Sequence, residues 1–99
     1  MTTTTKITTR ELDAFRNNLL PGTVLVCTHN AFRASFVGQR RTIKKTMRAS
    51  LDVDLGNGGN YSMAFPTRVR DVVSLTEDAI VFETPKGVFG FKVAKWGDA

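Results

Sequence analysis

The stretch VGQRRTIKKTMRASLDVDL, residues 37–55, decides the fold class because it could form either a basic helix or a strand. Between residues 43 and 55, six of the seven odd positions are apolar, whereas none of the seven even positions from 42 to 54 is. A helical spacing through the same residues collects only four apolar positions of seven. Alternation with a period of two is typical of a half-buried strand. The sequence therefore predicts β structure here.

One straight strand of this length does not fit a domain of this size. Fourteen residues at about 3.3 Å each would extend for about 46 Å, whereas a domain of this length has a radius of gyration of about 13 Å. We place a turn at Arg48-Ala49-Ser50, which gives two shorter strands, and strong coiling around a small barrel is the alternative. Lys45 is the one charged residue at the apolar positions, which favours a barrel edge or a local bulge there.

The rest of the chain predicts one helix followed by short strands. Thr8 and Glu11 match a capping box, and apolar residues at helical spacing predict a helix over 9–20 that Pro21-Gly22 ends, after a flexible tail over 1–8. β-Branched and aromatic runs separated by turn residues then fill 22–97. In the last run, Gly90 indicates a bulge or a close backbone approach. The sequence thus predicts a single, mainly β domain over 1–99: a small antiparallel barrel or roll of five to six strands with one short N-terminal helix.

Composition restricts the class of protein. The 99 residues contain 41% hydrophobic residues, no apolar run near the ~20 residues that span a bilayer, and no apolar leader in MTTTTKITTRE. We therefore expect a cytoplasmic protein without a membrane partner. The only cysteine, Cys27, excludes an intrachain disulfide.

Charge is distributed unevenly along the chain. Residues 14–51 contain seven basic residues and no acidic one, whereas residues 52–99 contain seven acidic residues and five basic ones, within a net charge of +5. A basic half suits nucleic acid or an acidic protein surface, and a basic face that serves only solubility is the plain alternative.

Residues 21–45 resemble the opening of an SH3-like barrel of the KOW type. Glycines and valines of PGTVLV and FVGQRRTIKK carry this resemblance: Gly22, Val24, Val26, Gly38 and Ile43. Residues 22–55 with YSMAFP also resemble small actinobacterial phage proteins of unestablished function. The first resemblance implies binding of RNA, ribosomal components or RNA polymerase through loops between early strands. The second implies action in a host cytoplasm.

Basic and aromatic residues alternate in this region, which suits binding to phosphates and unpaired bases. The predicted binding residues for nucleic acid or a partner are Phe32, Arg33, Phe36, Arg40, Arg41, Lys44, Lys45 and Arg48. Packing of one or both phenylalanines inside the barrel is the alternative, and Tyr61 and Trp96 could lie half exposed at a binding edge.

We therefore predict a non-enzymatic module that binds nucleic acid or a nucleoprotein of the transcription or translation machinery. The alternative is a protein-interaction factor that binds an acidic surface of a host enzyme or defence component and inhibits it. Capture of small phosphorylated molecules is a third possibility, which requires a pocket that no sequence pattern reveals.

Catalytic and metal-binding patterns are weak. Cys27 and His29 would face the same way on a strand, but no other histidine exists, and a structural cysteine is the favoured interpretation. Asp52 and Asp54 also share a face and could hold a divalent cation only weakly. We predict no catalytic residue, no metal and no cofactor.

Overall fold

The computed structural model describes residues 7–54 and 58–97. Its single α-helix and seven strands follow one another along the chain. They are α1 (Thr9–Asn17), β1 (Val24–Asn30), β2 (Arg40–Thr46), β3 (Ser50–Asp54), β4 (Asn60–Ala64), β5 (Val72–Leu75), β6 (Ala79–Thr84) and β7 (Gly87–Lys95). Short 3₁₀ turns, Ala34–Phe36 and Val69–Asp71, precede β2 and β5. The predicted mainly β class with one N-terminal helix is confirmed.

The helix begins as the sequence predicts and ends earlier. The Thr8 hydroxyl accepts from the Glu11 amide at 3.1 Å, and the Glu11 carboxylate accepts from the Thr8 amide at 2.9 Å. Residues 1–6 of the predicted flexible tail lie outside the described residues, and Thr8 is the N-cap. The predicted end at Leu20 was wrong because α1 stops at Asn17, where two successive asparagines disfavour helix. Leu19 is nevertheless buried.

The stretch that decides the fold forms two strands, β2 and β3, joined by a turn over residues 47–49. The Met47 amide donates to the Ser50 carbonyl at 2.9 Å across this turn. The pairing of β2 with β3 shifts register between Ile43 and Lys45, so Ile43 is buried and Lys45 is exposed. The predicted division by a turn is confirmed, although the turn lies one residue earlier than predicted because Ser50 already belongs to β3. Of the two alternatives for Lys45, the local bulge is the one observed, and Leu55 lies outside the described residues.

The seven strands form one antiparallel sheet in the order β4-β3-β2-β1-β7-β6-β5. The prediction of five to six strands was wrong: residues 40–54 form two strands, as expected, and each of the five other β-type segments also forms a strand of its own. Among the described residues, the edge strands β4 and β5 do not pair with each other, so the sheet is open in its hydrogen bonding.

The open sheet curls around its core. Phe65 follows β4 directly, yet its ring centroid lies 6.3 Å from those of Phe82 in β6 and Phe91 in β7. The ring of Phe15 in α1 lies 6.4 Å from that of Phe65. The core residues come from α1 and from nearly every strand; the buried apolar ones are Leu12, Phe15, Leu19, Leu25, Ile43, Leu51, Val53, Phe65, Ile80, Phe82, Phe91 and Val93. The helix α1 therefore shares one core with the sheet.

Gly90 lies where β7 approaches its neighbours closely. A Cβ atom at Gly90 would lie 2.9 Å from the carbonyl oxygen of Ile80 and 3.0 Å from the Thr28 hydroxyl. The pairing of β1 with β7 also shifts register between Cys27 and His29, opposite this glycine. The predicted close approach at Gly90 is confirmed.

Candidate nucleic-acid interface

The loop between β1 and β2, residues 31–39, is held in shape by its own hydrogen bonds. The side-chain oxygen of Asn30 accepts from the amides of Phe32 at 2.9 Å and Arg33 at 2.7 Å. The side-chain amide of Gln39 donates to the backbone carbonyl of Ser35 at 2.8 Å. Gly38 has a φ of +89°, which favours glycine, and its amide donates to the Cys27 carbonyl at 2.8 Å. These bonds give the loop side chains defined positions.

Phe36 lies between two guanidinium groups. The central carbons of Arg41 and Arg33 lie 5.3 Å and 5.7 Å from its ring centroid, within cation–π distance. The ring of Tyr61 in β4 meets Phe36 edge to face, with centroids 5.8 Å apart. Phe36 is half-buried, and it is not part of the core.

Phe32 is 61% exposed although it is a large apolar side chain. The ammonium group of Lys86 lies 5.1 Å from its ring centroid. An open cavity of about 310 Å³ adjoins this ring and is also lined by Tyr61, Phe89 and Pro85. Neither predicted phenylalanine therefore packs into the core: Phe32 is exposed, and Phe36 is half-buried against Tyr61 and two arginines.

We call this surface the aromatic rim. It comprises three rings and three cations: Phe32, Phe36, Tyr61, Arg33, Arg41 and Lys86. The rim forms because β1 and β7 are antiparallel: Asn30 pairs with Phe89, so the end of β1 lies beside the start of β7 and the turn that carries Lys86. The prediction did not include Lys86. The motif Pro85-Lys86-Gly87 predicts a turn, but it does not indicate which part of the chain lies beside that turn.

The other predicted basic residues lie elsewhere. Arg40 pairs with Val26 and is exposed, on the face of β2 opposite to that of Arg41. The ammonium group of Lys44 donates to the Asn60 side-chain oxygen at 3.0 Å. Lys45 and Arg48 lie toward the β2–β3 turn, at the other end of β2 from Arg41. Of the eight predicted residues, four therefore lie at the rim and three lie nearer the β2–β3 turn, whereas Arg40 joins neither group. The reason is that successive strand residues face opposite ways and that the ends of β2 lie about 20 Å apart.

Trp96 is not part of the rim. Its indole ring meets Phe15 of α1 edge to face, with centroids 6.3 Å apart, and it is 39% exposed. Of the two ambiguous aromatic residues, only Tyr61 lies at the rim.

Cys27 and His29 do not contact each other through thiol and ring nitrogen. The Cys27 thiol donates to the carbonyl oxygen of His29 at 3.6 Å, whereas Nδ1 of His29 lies 2.9 Å from the Thr28 hydroxyl. Burial raises the pKa of the Cys27 thiol, which disfavours the thiolate that a nucleophile requires. This geometry is not that of an activated Cys–His pair.

The described residues also bear on metal binding and on insertion into a membrane. Within residues 7–54 and 58–97, no three His, Cys, Asp or Glu side chains lie together as a metal ion would require. In the same part of the chain, no helix is long and apolar enough to cross a membrane. Asp52 lies opposite Lys45 in the pairing of β3 with β2.

Comparisons with protein-family models, with curated proteins and with solved structures found no match.

Proposed function

We propose that this protein is a non-enzymatic binding module that takes single-stranded nucleic acid on the aromatic rim. One observation carries the proposal: the exposed ring of Phe32 lies beside the Lys86 ammonium group, next to a second ring that two arginines flank. Unpaired bases stack on such rings, and each stacked base contributes about 1–3 kcal/mol. The flanking cations attract the phosphates that connect the bases.

The rim favours single strands over duplexes. Bases within a duplex are already stacked on each other, so an aromatic ring cannot cover their faces without opening the helix. The cavity of about 310 Å³ between Phe32, Tyr61 and Phe89 offers an apolar space at the rim. An unpaired base can enter it while its phosphate stays near Lys86.

The likeness to KOW-type barrels adds support to the same proposal. That likeness implies binding through loops between early strands, and the rim takes Phe32, Arg33 and Phe36 from the loop between β1 and β2. We extend the proposal accordingly: the curled sheet is a variant of an SH3-like barrel, and the nucleic acid belongs to a cytoplasmic nucleoprotein, in a phage host if the chain is phage-encoded.

The first test is fluorescence anisotropy with labelled single-stranded RNA, single-stranded DNA and duplex DNA. If the three rim cations each neutralise one phosphate, the salt slope for a single strand is about −2, and affinity falls roughly 20-fold between 50 and 200 mM salt. A single strand should bind more tightly than the duplex. Absence of single-strand binding at about 50 mM salt contradicts the proposal and redirects the search to a protein partner by pull-down.

A variant pair tests whether the rim is the surface used. Phe32→Ala should weaken single-strand binding about tenfold because it removes one stacking platform. Val73→Ala is the matched control, since Val73 is 62% exposed and lies in β5, away from the rim. Equal affinity of the Phe32→Ala variant and the unmodified protein would count against the rim.

A further inference from the structure

A second surface lies toward the β2–β3 turn and differs from the aromatic rim. An open groove of about 510 Å³ lies between the residues that end α1 and the β2–β3 turn. Its charged lining residues are all basic, with no carboxylate among them in the described part of the chain: Arg16, Lys44, Lys45 and Arg48. We call this surface the basic groove.

The walls of the basic groove are fixed before any ligand arrives. The Thr46 hydroxyl in β2 donates to the carbonyl oxygen of Leu19, which ties the hairpin to the chain after α1. Arg16 forms an ion pair with Asp13 at 2.9 Å and lies 5.6 Å from the centroid of the Phe65 ring. Its side chain is only 13% exposed. A ligand therefore meets a preformed wall, which lowers the entropic cost of binding.

The cations of the groove are incompletely paired. The side chains of Lys45 and Arg48 make no hydrogen bond or ion pair with residues 7–54 or 58–97, although they lie three positions apart on one hairpin. The Nε atom of Arg16 is buried and has no hydrogen-bond partner in that same part of the chain. Like charges held together repel each other. An anion in the groove would relieve this repulsion.

We infer that the basic groove binds a short chain of phosphates, of the kind that a nucleoside diphosphate or triphosphate carries. A volume of about 510 Å³ is within the usual range for small-molecule sites. Phosphate oxygens suit both the planar guanidinium group and the lysine ammonium group. A chain of phosphates can contact Arg16 on one wall of the groove and the hairpin cations on the other wall. A single phosphate group is less able to contact both walls.

The rest of the groove suits the organic part of such a ligand. Leu20, Pro21 and Met47 add apolar surface beside the cations. None of the groove residues belongs to the aromatic rim, so the inference goes beyond the proposed function and does not depend on it.

Isothermal titration calorimetry with inorganic tripolyphosphate tests the inference. The unmodified protein should bind at about 50 mM salt, and Lys45→Ala with Arg48→Ala should weaken binding about tenfold or more, because it removes two charge-assisted contacts to phosphate oxygens. Lys92→Ala with Lys95→Ala is the control, because it removes the same charge from exposed positions in β7 that do not line the groove. Equal losses for both double variants, or no binding by the unmodified protein, overturn the inference.

Nuclear magnetic resonance then locates the probe. Tripolyphosphate should shift the backbone amide signals of residues 19–20 and 44–48, and Phe32→Ala should leave its affinity unchanged. Shifts concentrated at the rim instead would overturn the separate groove. Failure of oligonucleotide binding with retained tripolyphosphate binding would remove the proposed function and leave the groove standing.

Discussion

The position of Lys45 in the sequence indicates an irregularity in its strand. It is a charged residue at an apolar position of the alternation, and the register shift beside it turns its side chain outward, opposite Asp52. A charge buried without a partner would be strongly unfavourable, so the backbone absorbs the conflict with one irregular pair. The sequence therefore predicted an edge or a bulge at Lys45, and the structure has the bulge; the sequence did not predict which surface Lys45 would join.

Cys27 is the residue whose chemistry depends most on its surroundings. Its thiol is half-buried, Arg41 lies near enough to influence it, and burial has the larger effect, so its pKa lies above the ordinary value. The raised pKa means that the folded state favours the neutral thiol. This contribution to stability is fully present below the ordinary thiol pKa and is lost as the pH rises through the folded pKa.

We therefore expect Cys27 to react more slowly with iodoacetamide in the folded protein than in urea, by the largest factor at a pH below the ordinary thiol pKa. The reason is that the unfolded chain holds more thiolate at that pH. Mass spectrometry of the alkylated protein measures both rates without ambiguity, because the chain has one cysteine. Equal rates across the pH range would contradict the raised pKa.

The helix and the β2–β3 hairpin show what local sequence specifies at the level of an element. The capping box of α1 depends on residues three positions apart, and the hairpin turn on a break in a period of two; both are visible in the sequence. The end of α1 was less predictable, because Leu19 keeps the helical spacing of buried residues without being helical. Burial and helix formation are separate properties at that position.

Thr8→Ala should lower the free energy of unfolding by about 0.5–2 kcal/mol, since it removes the acceptor for the Glu11 amide. Chemical denaturation followed by circular dichroism measures the change. Thr9→Ala is the control because Thr9 is exposed in the first turn and its side chain makes no cap bond. An equal effect of the two substitutions would mean that the capping box contributes nothing.

At the scale of the whole molecule, the Phe65 side chain contacts elements that are not neighbours in the strand order of the sheet. The residue follows the edge strand β4, yet its ring packs on Phe82 and Phe91, and Phe15 of the helix packs on it. These contacts curl an open sheet around one core without pairing its edges. They also hold β4, with Tyr61, at the rim.

Phe65→Ala should lower the free energy of unfolding by about 3–5 kcal/mol, because it removes a ring that is 4% exposed and leaves a cavity between helix and sheet. Urea denaturation measures the loss. Phe32→Ala makes the same chemical change at an exposed position and should alter stability by less than about 0.5 kcal/mol. A loss below about 1 kcal/mol for Phe65→Ala would show that the curl does not depend on this ring.

The two candidate surfaces, the aromatic rim and the basic groove, could be predicted from the sequence only in part. Four of the eight predicted residues meet at the rim: Phe32, Arg33, Phe36 and Arg41. The alternation of faces along β2 could have separated Arg40 from Arg41. No sequence pattern predicts that Lys86 lies near Phe32 or that Arg16 lies near the β2–β3 hairpin. Each of these contacts forms only through strand pairing or helix packing.

The sequence by itself determined the β class, the position of the N-terminal cap, the position of the β2–β3 turn to within one residue and the basic character of residues 14–51. These features depend on the period of side chains and on hydrogen bonds between near neighbours, so a short window contains their cause. Only the tertiary structure decided that the sheet stays open yet curls. It also decided that Arg33 and Arg41 join the aromatic rim, that the basic residues Lys44, Lys45 and Arg48 line the basic groove, and that Arg40 joins neither. Those outcomes depend on contacts between residues far apart in the chain, where strand order and core packing decide which side chains meet.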